Sequence, residues 1–207
     1  ACIFGKTWLH HVEMQLKATP KENLEAIEDS VRFLKNNKFV VFYDLEHFFD
    51  GFKHDKEYAL ECLRVAAKAN ADCLVLCDTN GGCLPDEVRN IVTEVKNFMK
   101  KNKIKTELGI HMHNDSGFAT ANTIEAVKLG VAQLHLTANG FGERAGNADL
   151  CQVVPILMLK MGVKLPKIKL DKLTDLSRVV YILANTKPNP SQPYVGKNAF
   201  SHKGGIH

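Results

Sequence analysis

The sequence lacks several features that would assign it to common functional classes. None of its six cysteines forms a C-x-x-C pair, and most lie in apolar runs, which is typical of reduced, buried thiols. No apolar run approaches the roughly 20 residues that a membrane-spanning helix needs. The net charge of +4 is spread along the chain, without the basic stripe of a nucleic-acid-binding surface. We therefore expect a cytosolic protein that binds neither nucleic acid nor membrane.

What the sequence does contain is a regular alternation of strand-like and helix-like segments. The 207 residues are 45% hydrophobic and 24% charged, which suits a globular domain and excludes disorder. A capping box with proline at the first helical position, Thr19-Pro20-Lys21-Glu22, begins the first long helix. The alternation, with a period of roughly 25 to 35 residues, is typical of βα units in a parallel sheet. The predicted strands are 1–4 (the end of a buried strand), 39–43, 73–77, 108–111 and 133–136, and the predicted helices are 20–36, 57–70, 85–99, 119–129 and 173–184.

Polar side chains follow the predicted strands, which indicates where a site would lie. They occur at 44–46, 78–80, 111–115 and 139–147. A (β/α)8 barrel, or TIM barrel, assembles its active site at these carboxyl ends, whereas an open doubly wound sheet usually does so at one switch point. We therefore predict an α/β fold that corresponds to the C-terminal portion of a TIM barrel, about strands 4–8, with the first strands absent. The proline-rich segment after residue 187 suggests a catalytic domain over 1–187, then a linker and the start of a subdomain over 188–207.

The pair His111-x-His113 ends an apolar strand and is the strongest chemical signal. Residues two apart on a strand point to the same face, so both imidazoles can reach one metal ion. A bare His-x-His is usually incidental, but this one runs directly into Asn114-Asp115. Neutral imidazoles suit zinc, manganese or iron, and an open coordination position makes such a metal a Lewis acid. We predict a catalytic divalent metal here.

A loop that follows the last predicted strand, 139–150, combines glycines with Glu, Arg and Asn. It could be a flexible loop with solvated charges. As part of a site, Asn147 would assist at the metal or its water. Glu143 and Arg144 would order the loop through a charge-assisted pair, and Arg144 is also a candidate substrate-binding residue.

These motifs together resemble a known enzyme family. The stretch LGIHMHNDSGFATA (108–121) and the ERAGNADL of 143–150 are similar to the metal-dependent acyltransferases related to isopropylmalate and homocitrate synthases. YDLEHFFDGF (43–52), DTNGG (78–82) and GKNAFSHKGGIH (196–207) resemble the (R)-citramalate synthase branch of this HMGL-like superfamily. The resemblance spans nearly the whole chain.

The resemblance implies a reaction and a set of residue roles. The reaction is a Claisen-type condensation of acetyl-CoA with a 2-oxo acid, pyruvate favoured, followed by thioester hydrolysis in branched-chain amino-acid biosynthesis. The enzyme would be a homodimer with a divalent metal, Zn, Mn or Mg. The implied metal ligands are His111, His113 and a strand-1 Asp that this sequence lacks, with Asn147 close by. Thr79 would bind the oxo-acid carboxylate, and Glu46 and His207 would be catalytic.

The segment after Trp8 departs from the family pattern, and three other functions are compatible with the sequence. After Trp8 the citramalate-like pattern usually has Asp-x-His-Val, but here it is Leu9-His10-His11-Val12, so a carboxylate is lost. His10, His11, His47 and His54 are therefore expected to be surface or supporting residues. The alternatives are a 2-isopropylmalate or homocitrate synthase, an acyl-CoA lyase or aldolase of the same superfamily, and a noncatalytic assembly module. Lyases carry a cysteine in the glycine-rich loop, whereas GFGERAGN (140–147) has none, which favours synthesis.

Overall fold

The computed structural model describes residues 1–202 and contains one parallel sheet of five strands in the order β1-β2-β3-β4-β5. Helices cover one face of this sheet, as expected for successive βα units. The strands are β1 Cys2–Lys6, β2 Phe42–Glu46, β3 Cys73–Asp78, β4 Glu107–Met112 and β5 Gln133–His135. The helices are α1 Leu9–His11, continued by a π-helical turn Val12–Leu16, α2 Pro20–Asn36, α3 Phe48–His54, α4 Lys56–Lys68, α5 Pro85–Lys101, α6 Ala119–Lys128, α7 Leu150–Pro155, continued by a π-helical turn Ile156–Lys160, and α8 Leu173–Leu183.

The main core lies between the sheet and its helices. Alternate strand residues such as Leu74, Leu76 and Ile110 are fully buried there. Helix α5 contributes Val88, Ile91, Val92 and Val95, which recur at helical spacing on one face. The opposite face of the sheet, called here the inner face, carries a small cluster of Cys73, Val75 and Cys77 and most of the polar strand residues. No helix within residues 1–202 has the length and apolarity needed to cross a bilayer.

The predicted helices are confirmed, but two strand predictions need correction. The second strand is Phe42–Glu46 instead of 39–43, because Phe39 is half exposed in the turn after α2 and pairing with β1 begins at Phe42. Glu46 therefore lies on the strand and not after it. The first strand exists, but it is not buried: Phe4 is 73% exposed, since β1 pairs only with β2 and forms an edge of the sheet.

The capping box of α2 is formed as the sequence predicts. The Thr19 hydroxyl accepts a hydrogen bond from the Glu22 amide at 3.2 Å, and the Glu22 carboxylate accepts one from the Thr19 amide at 2.7 Å. These two bonds satisfy donors that the first helical turn otherwise leaves free. The Thr19 amide and hydroxyl both donate to the Glu22 carboxylate and lower the pKa of Glu22.

We expect Thr19→Ala to lower the free energy of unfolding by about 1 kcal/mol, because the cap at the start of α2 is lost. Thr19→Ser keeps the hydroxyl and is the matched control, with an expected change within about 0.5 kcal/mol. Urea denaturation followed by circular dichroism measures both variants. Equal stabilities of the alanine and serine variants would contradict this role of the cap.

Candidate metal centre and active site

His111 lies on the inner face of β4, flanked by β3 and β5. Its ring contacts two polar neighbours: Nε2 is 3.0 Å from Asn147 Nδ2, and Nδ1 is 3.2 Å from His135 Nδ1. Because an amide nitrogen can only donate, Nε2 is the acceptor and keeps its lone pair toward Asn147. Burial, together with the nearby His113 and His135, lowers the pKa of His111 to about 4. The imidazole is therefore neutral, which is the form that binds a metal.

His113 lies one residue beyond β4 and turns toward the same space. Its ring centroid is 5.0 Å from that of His111, and the residue is only 8% exposed. Its Nδ1 is buried without a hydrogen-bond partner, and so is Asn147 Oδ1. Burial and the Arg144 charge lower the pKa of His113.

The unpartnered His113 Nδ1 and Asn147 Oδ1 lie beside His111, and imidazole nitrogen and amide oxygen are both atoms that can bind a divalent metal ion. A buried polar atom without a partner is costly, and one that awaits a cation is a recognised exception. His111, His113 and Asn147 therefore fit the metal that their spacing predicts. The three residues do not include the carboxylate ligand that the family resemblance implies.

Backbone hydrogen bonds hold Asn147 in place. The loop that follows β5 runs back along the end of β4: the Ala148 amide donates to Met112 O at 3.0 Å, and the Asn114 amide donates to Gly146 O at 2.9 Å. Gly146 has a φ of +91°, a conformation that side chains disfavour, and its missing Cβ makes room for the Gly140 carbonyl. The glycines of this loop thus allow the turn that presents Asn147 to the two histidines.

Arg144 joins this loop to two neighbouring strand ends. Its guanidinium forms a bidentate pair with Asp115, at 2.7 and 2.9 Å, and donates to the Thr79 carbonyl at 2.7 Å. The Glu143 carboxylate lies 3.3 Å away, so the predicted pair is present. These contacts give Arg144 an ordering role, and substrate binding by its remaining donors stays a prediction.

The other predicted site residues lie at the same end of the sheet. The Thr79 hydroxyl, just after β3, accepts a hydrogen bond from the His47 amide at 2.8 Å and still has its own proton to donate. The Glu46 carboxylate lies on β2 and pairs with Lys6 at 2.8 Å. His207 lies outside the described residues.

Sequence reasoning overlooked a ring cluster beside Glu46, formed by Trp8, His11 and His47. The His11 ring is 4.5 Å from Trp8 and 4.3 Å from His47 between centroids. Burial and the His47 charge lower the pKa of His11, and its Nδ1 has no hydrogen-bond partner. His10 and His54 are exposed, as expected. The position of Trp8 directly after β1 was the signal for this cluster, since barrel sites form at strand ends.

Comparison with known proteins identifies the family. The family model described as HMGL-like matches residues 2–180, most of the chain. The chain belongs to the HMGL-like family.

Curated relatives of this HMGL-like chain carry synthase names. It is 53% identical to an (R)-citramalate synthase of Geobacter sulfurreducens over 206 residues, which are 99% of this chain and 38% of that protein. An (R)-citramalate synthase of Sulfolobus acidocaldarius is 51% identical over 99% of this chain and 39% of its own length. A 2-isopropylmalate synthase of Sulfurisphaera tokodaii is 38% identical over 99% of this chain and 51% of its own length. The chain thus spans about two fifths of the citramalate synthases that it matches.

Solved structures support the fold. An HMG-CoA lyase of Bacillus subtilis superposes with a TM-score of 0.74 at 20% identity, over 93% of this chain and 65% of that one. An HMG-CoA lyase of Pseudomonas aeruginosa superposes with a TM-score of 0.75 at 17% identity, over 93% of this chain and 65% of that one. The HMGL-like chain therefore has the α/β architecture of part of a TIM barrel, as the sequence predicts.

The close packing of Gly142 against Asn147 yields a testable prediction. A Cβ on Gly142 would lie 2.7 Å from Asn147 Cγ and closer still to Oδ1, so Gly142→Ala must displace this amide. We expect metal affinity to fall by about 10- to 100-fold, the range for residues that support metal ligands. Isothermal titration with Mn²⁺ measures it.

Gly82→Ala is the matched control, because a Cβ there meets nothing within 4 Å. It should leave the affinity unchanged. If Gly142→Ala bound metal as tightly as Gly82→Ala, Asn147 would have no part in the metal site.

Proposed function

We propose that the protein is an acyltransferase that condenses acetyl-CoA with a 2-oxo acid, pyruvate favoured, and hydrolyses the resulting thioester. The observation that carries the proposal is the convergence of His111, His113 and Asn147 at the carboxyl end of β4, where two buried polar atoms, His113 Nδ1 and Asn147 Oδ1, have no hydrogen-bond partner. The names of the synthases that are 44–53% identical to this chain support the same reaction class.

The residues would divide the work as follows. His111, His113 and Asn147 would hold a divalent metal, which would supply Lewis acidity at the oxo-acid carbonyl. The Thr79 hydroxyl donates to the carboxylate of the oxo acid, and the loop ordered by Arg144 covers this group. Glu46, on the inner face beside Lys6, lies toward the acetyl methyl and accepts its proton or orders the site. The burial of both histidines keeps their imidazoles neutral and available as ligands.

The proposal also assigns a role to His207 and divides the chain into two parts. His207 contributes to catalysis from a segment that follows the barrel, and the chain divides into 1–187 and 188–207. Gln192, in the second part, packs against the first: its amide donates to Asp149 at 2.8 Å and accepts from the Tyr181 hydroxyl at 3.0 Å.

We also propose a homodimer that acts in the cytosol, in branched-chain amino-acid biosynthesis, in keeping with six free cysteines in the described structure.

The rival enzymes differ from the proposed one in the substrate that they use or in whether they form or cleave the carbon–carbon bond. A 2-isopropylmalate or homocitrate synthase would use the same metal centre with a larger oxo acid. An acyl-CoA lyase or aldolase would cleave the carbon–carbon bond, but the loop 140–147 has no cysteine. A noncatalytic assembly module would release no CoA.

Release of CoA thiol from acetyl-CoA tests the proposal and separates these rivals. We expect the complete protein to release thiol only when both a 2-oxo acid and a divalent metal are present, and chelation should abolish the release. Among pyruvate, 2-oxoisovalerate and 2-oxoglutarate, we expect pyruvate to give the highest kcat/KM. A pocket discriminates against an extra methylene by about 1 to 3 kcal/mol, or roughly 10- to 200-fold. Release without any oxo acid would contradict condensation, and no release would favour the assembly module.

A further inference from the structure

A second group of metal-binding side chains lies on the inner face, apart from the His111, His113 and Asn147 set. It consists of Cys2 on β1, Asp44 on β2 and His135 on β5. Cys2 Sγ is 3.4 Å from Asp44 Oδ1, and His135 Nδ1 is 3.5 Å from Asp44 Oδ2. One ligand atom from each residue lies within 4.8 Å of the other two. The three most common classes of protein zinc ligand thus meet at one point.

Two strands, β3 and β4, separate Asp44 on β2 from His135 on β5. The inner-face position next to Asp44 on β3 is Val75, and the position next to Val75 on β4 is Gly109. Gly109 has no side chain, and a Cβ there would lie 2.9 Å from Val75 Cγ2. The β5 partner of Gly109 is Gln133, and His135, two residues further along, lies 3.5 Å from Asp44.

The distances are close to those of a zinc site. Zinc binds sulfur at about 2.3 Å and nitrogen or oxygen at about 2.0 to 2.2 Å, so the corners of its tetrahedron are roughly 3.3 to 3.7 Å apart. Cys2 Sγ lies 3.4 Å from one Asp44 oxygen and His135 Nδ1 lies 3.5 Å from the other, so a rotation of this carboxylate would bring one oxygen within reach of both. A cysteine ligand selects zinc over magnesium or manganese, which prefer oxygen.

We propose that Cys2, Asp44 and His135 form a second cation site, which binds Zn²⁺ through one sulfur, one oxygen and one nitrogen atom and leaves a fourth position for water. Binding replaces the thiol proton of Cys2, which is released to solvent as the zinc–sulfur bond forms. In the free protein the Cys2 thiol donates to Asp44 Oδ1, and burial, together with the Asp44 charge, raises the pKa of Cys2 to about 11.

The second site is close to the first, so an experiment must distinguish the two. His135 Nδ1 lies 3.2 Å from His111 Nδ1. The distinguishing atom is sulfur, because the His111, His113 and Asn147 set contains none. A cobalt–thiolate charge-transfer band in the near ultraviolet would therefore report the second site alone.

We propose to titrate the complete protein, freed of metal by chelation, with Co²⁺. The thiolate band is expected in the wild type and in His111→Ala, lost in Cys2→Ser, and at least tenfold weaker in apparent affinity in Asp44→Asn. Cys73→Ser removes another cysteine of the inner face and is the matched control, with an unchanged band. A band that survives Cys2→Ser, or no band in the wild type, would overturn the proposal.

X-ray absorption of the wild-type protein gives a second test, which does not depend on the folding of any variant. With two equivalents of Zn²⁺ bound, we expect one sulfur at about 2.3 Å for every two zinc ions. A shell of nitrogen and oxygen alone would show that the three side chains form only a hydrogen-bonded cluster. Loss of CoA release with the sulfur signal intact would contradict the proposed function and leave this site standing.

Discussion

Replacing His111 with alanine is expected to lower kcat/KM for CoA release by about 10³-fold or more and, in protein loaded with Mn²⁺, to reduce the bound manganese to a trace. Removal of a residue that merely supports a ligand typically costs 10- to 100-fold, so loss of a ligand itself should cost more. Metal analysis of the dialysed protein and steady-state kinetics measure the two effects.

His54→Ala is the matched control for this experiment. His54 is exposed at the end of α3 and has no contact with the His111, His113 and Asn147 set, so its variant should keep both metal and activity. Full metal content in His111→Ala would refute the assignment of this ligand. Full metal content with lost activity would instead place His111 on the substrate.

Truncation of Phe48 is expected to have the largest effect on stability. Phe48 is fully buried and packs edge-on against Phe49, with ring centroids 6.1 Å apart, in the core between α3 and the sheet. Phe48→Ala should lower the free energy of unfolding by about 3 to 5 kcal/mol, because it combines lost burial with a cavity. Urea denaturation of the complete protein measures the change.

Phe39→Ala provides the same chemical change at a half-exposed position. We expect it to cost less than about 1 kcal/mol. If both variants lost the same free energy of unfolding, α3 would not anchor the core.

Much of the fold could be predicted from local patterns. The capping box at Thr19 and the proline at the start of α5 mark helix starts that depend on nearby residues only, and both helices are found where expected. The start of β2 could not be found in this way, because its register with β1 decides which part of 39–46 is paired. Helix α3 was missed because no hydrophobic periodicity can be read over seven residues.

The candidate site likewise contains some contacts that local sequence patterns predict and others that only the tertiary structure shows. The two-residue period of a strand was enough to bring His111 and His113 together. The contact of His111 with His135 depends instead on the pairing of β4 with β5, and the approach of His135 to Asp44 joins residues that lie on strands β5 and β2. No spacing along the sequence carries that information. Tertiary contacts of this kind also assemble Trp8, His11 and His47.

The most direct test of the central claim is the anomalous scattering from a crystal of the complete protein loaded with Mn²⁺. We predict one strong peak within about 2.3 Å of an imidazole nitrogen of both His111 and His113, with the Asn147 side chain at or beside the ion. A manganese peak elsewhere, with both imidazoles free of metal, would contradict the metal centre and the condensation chemistry built on it.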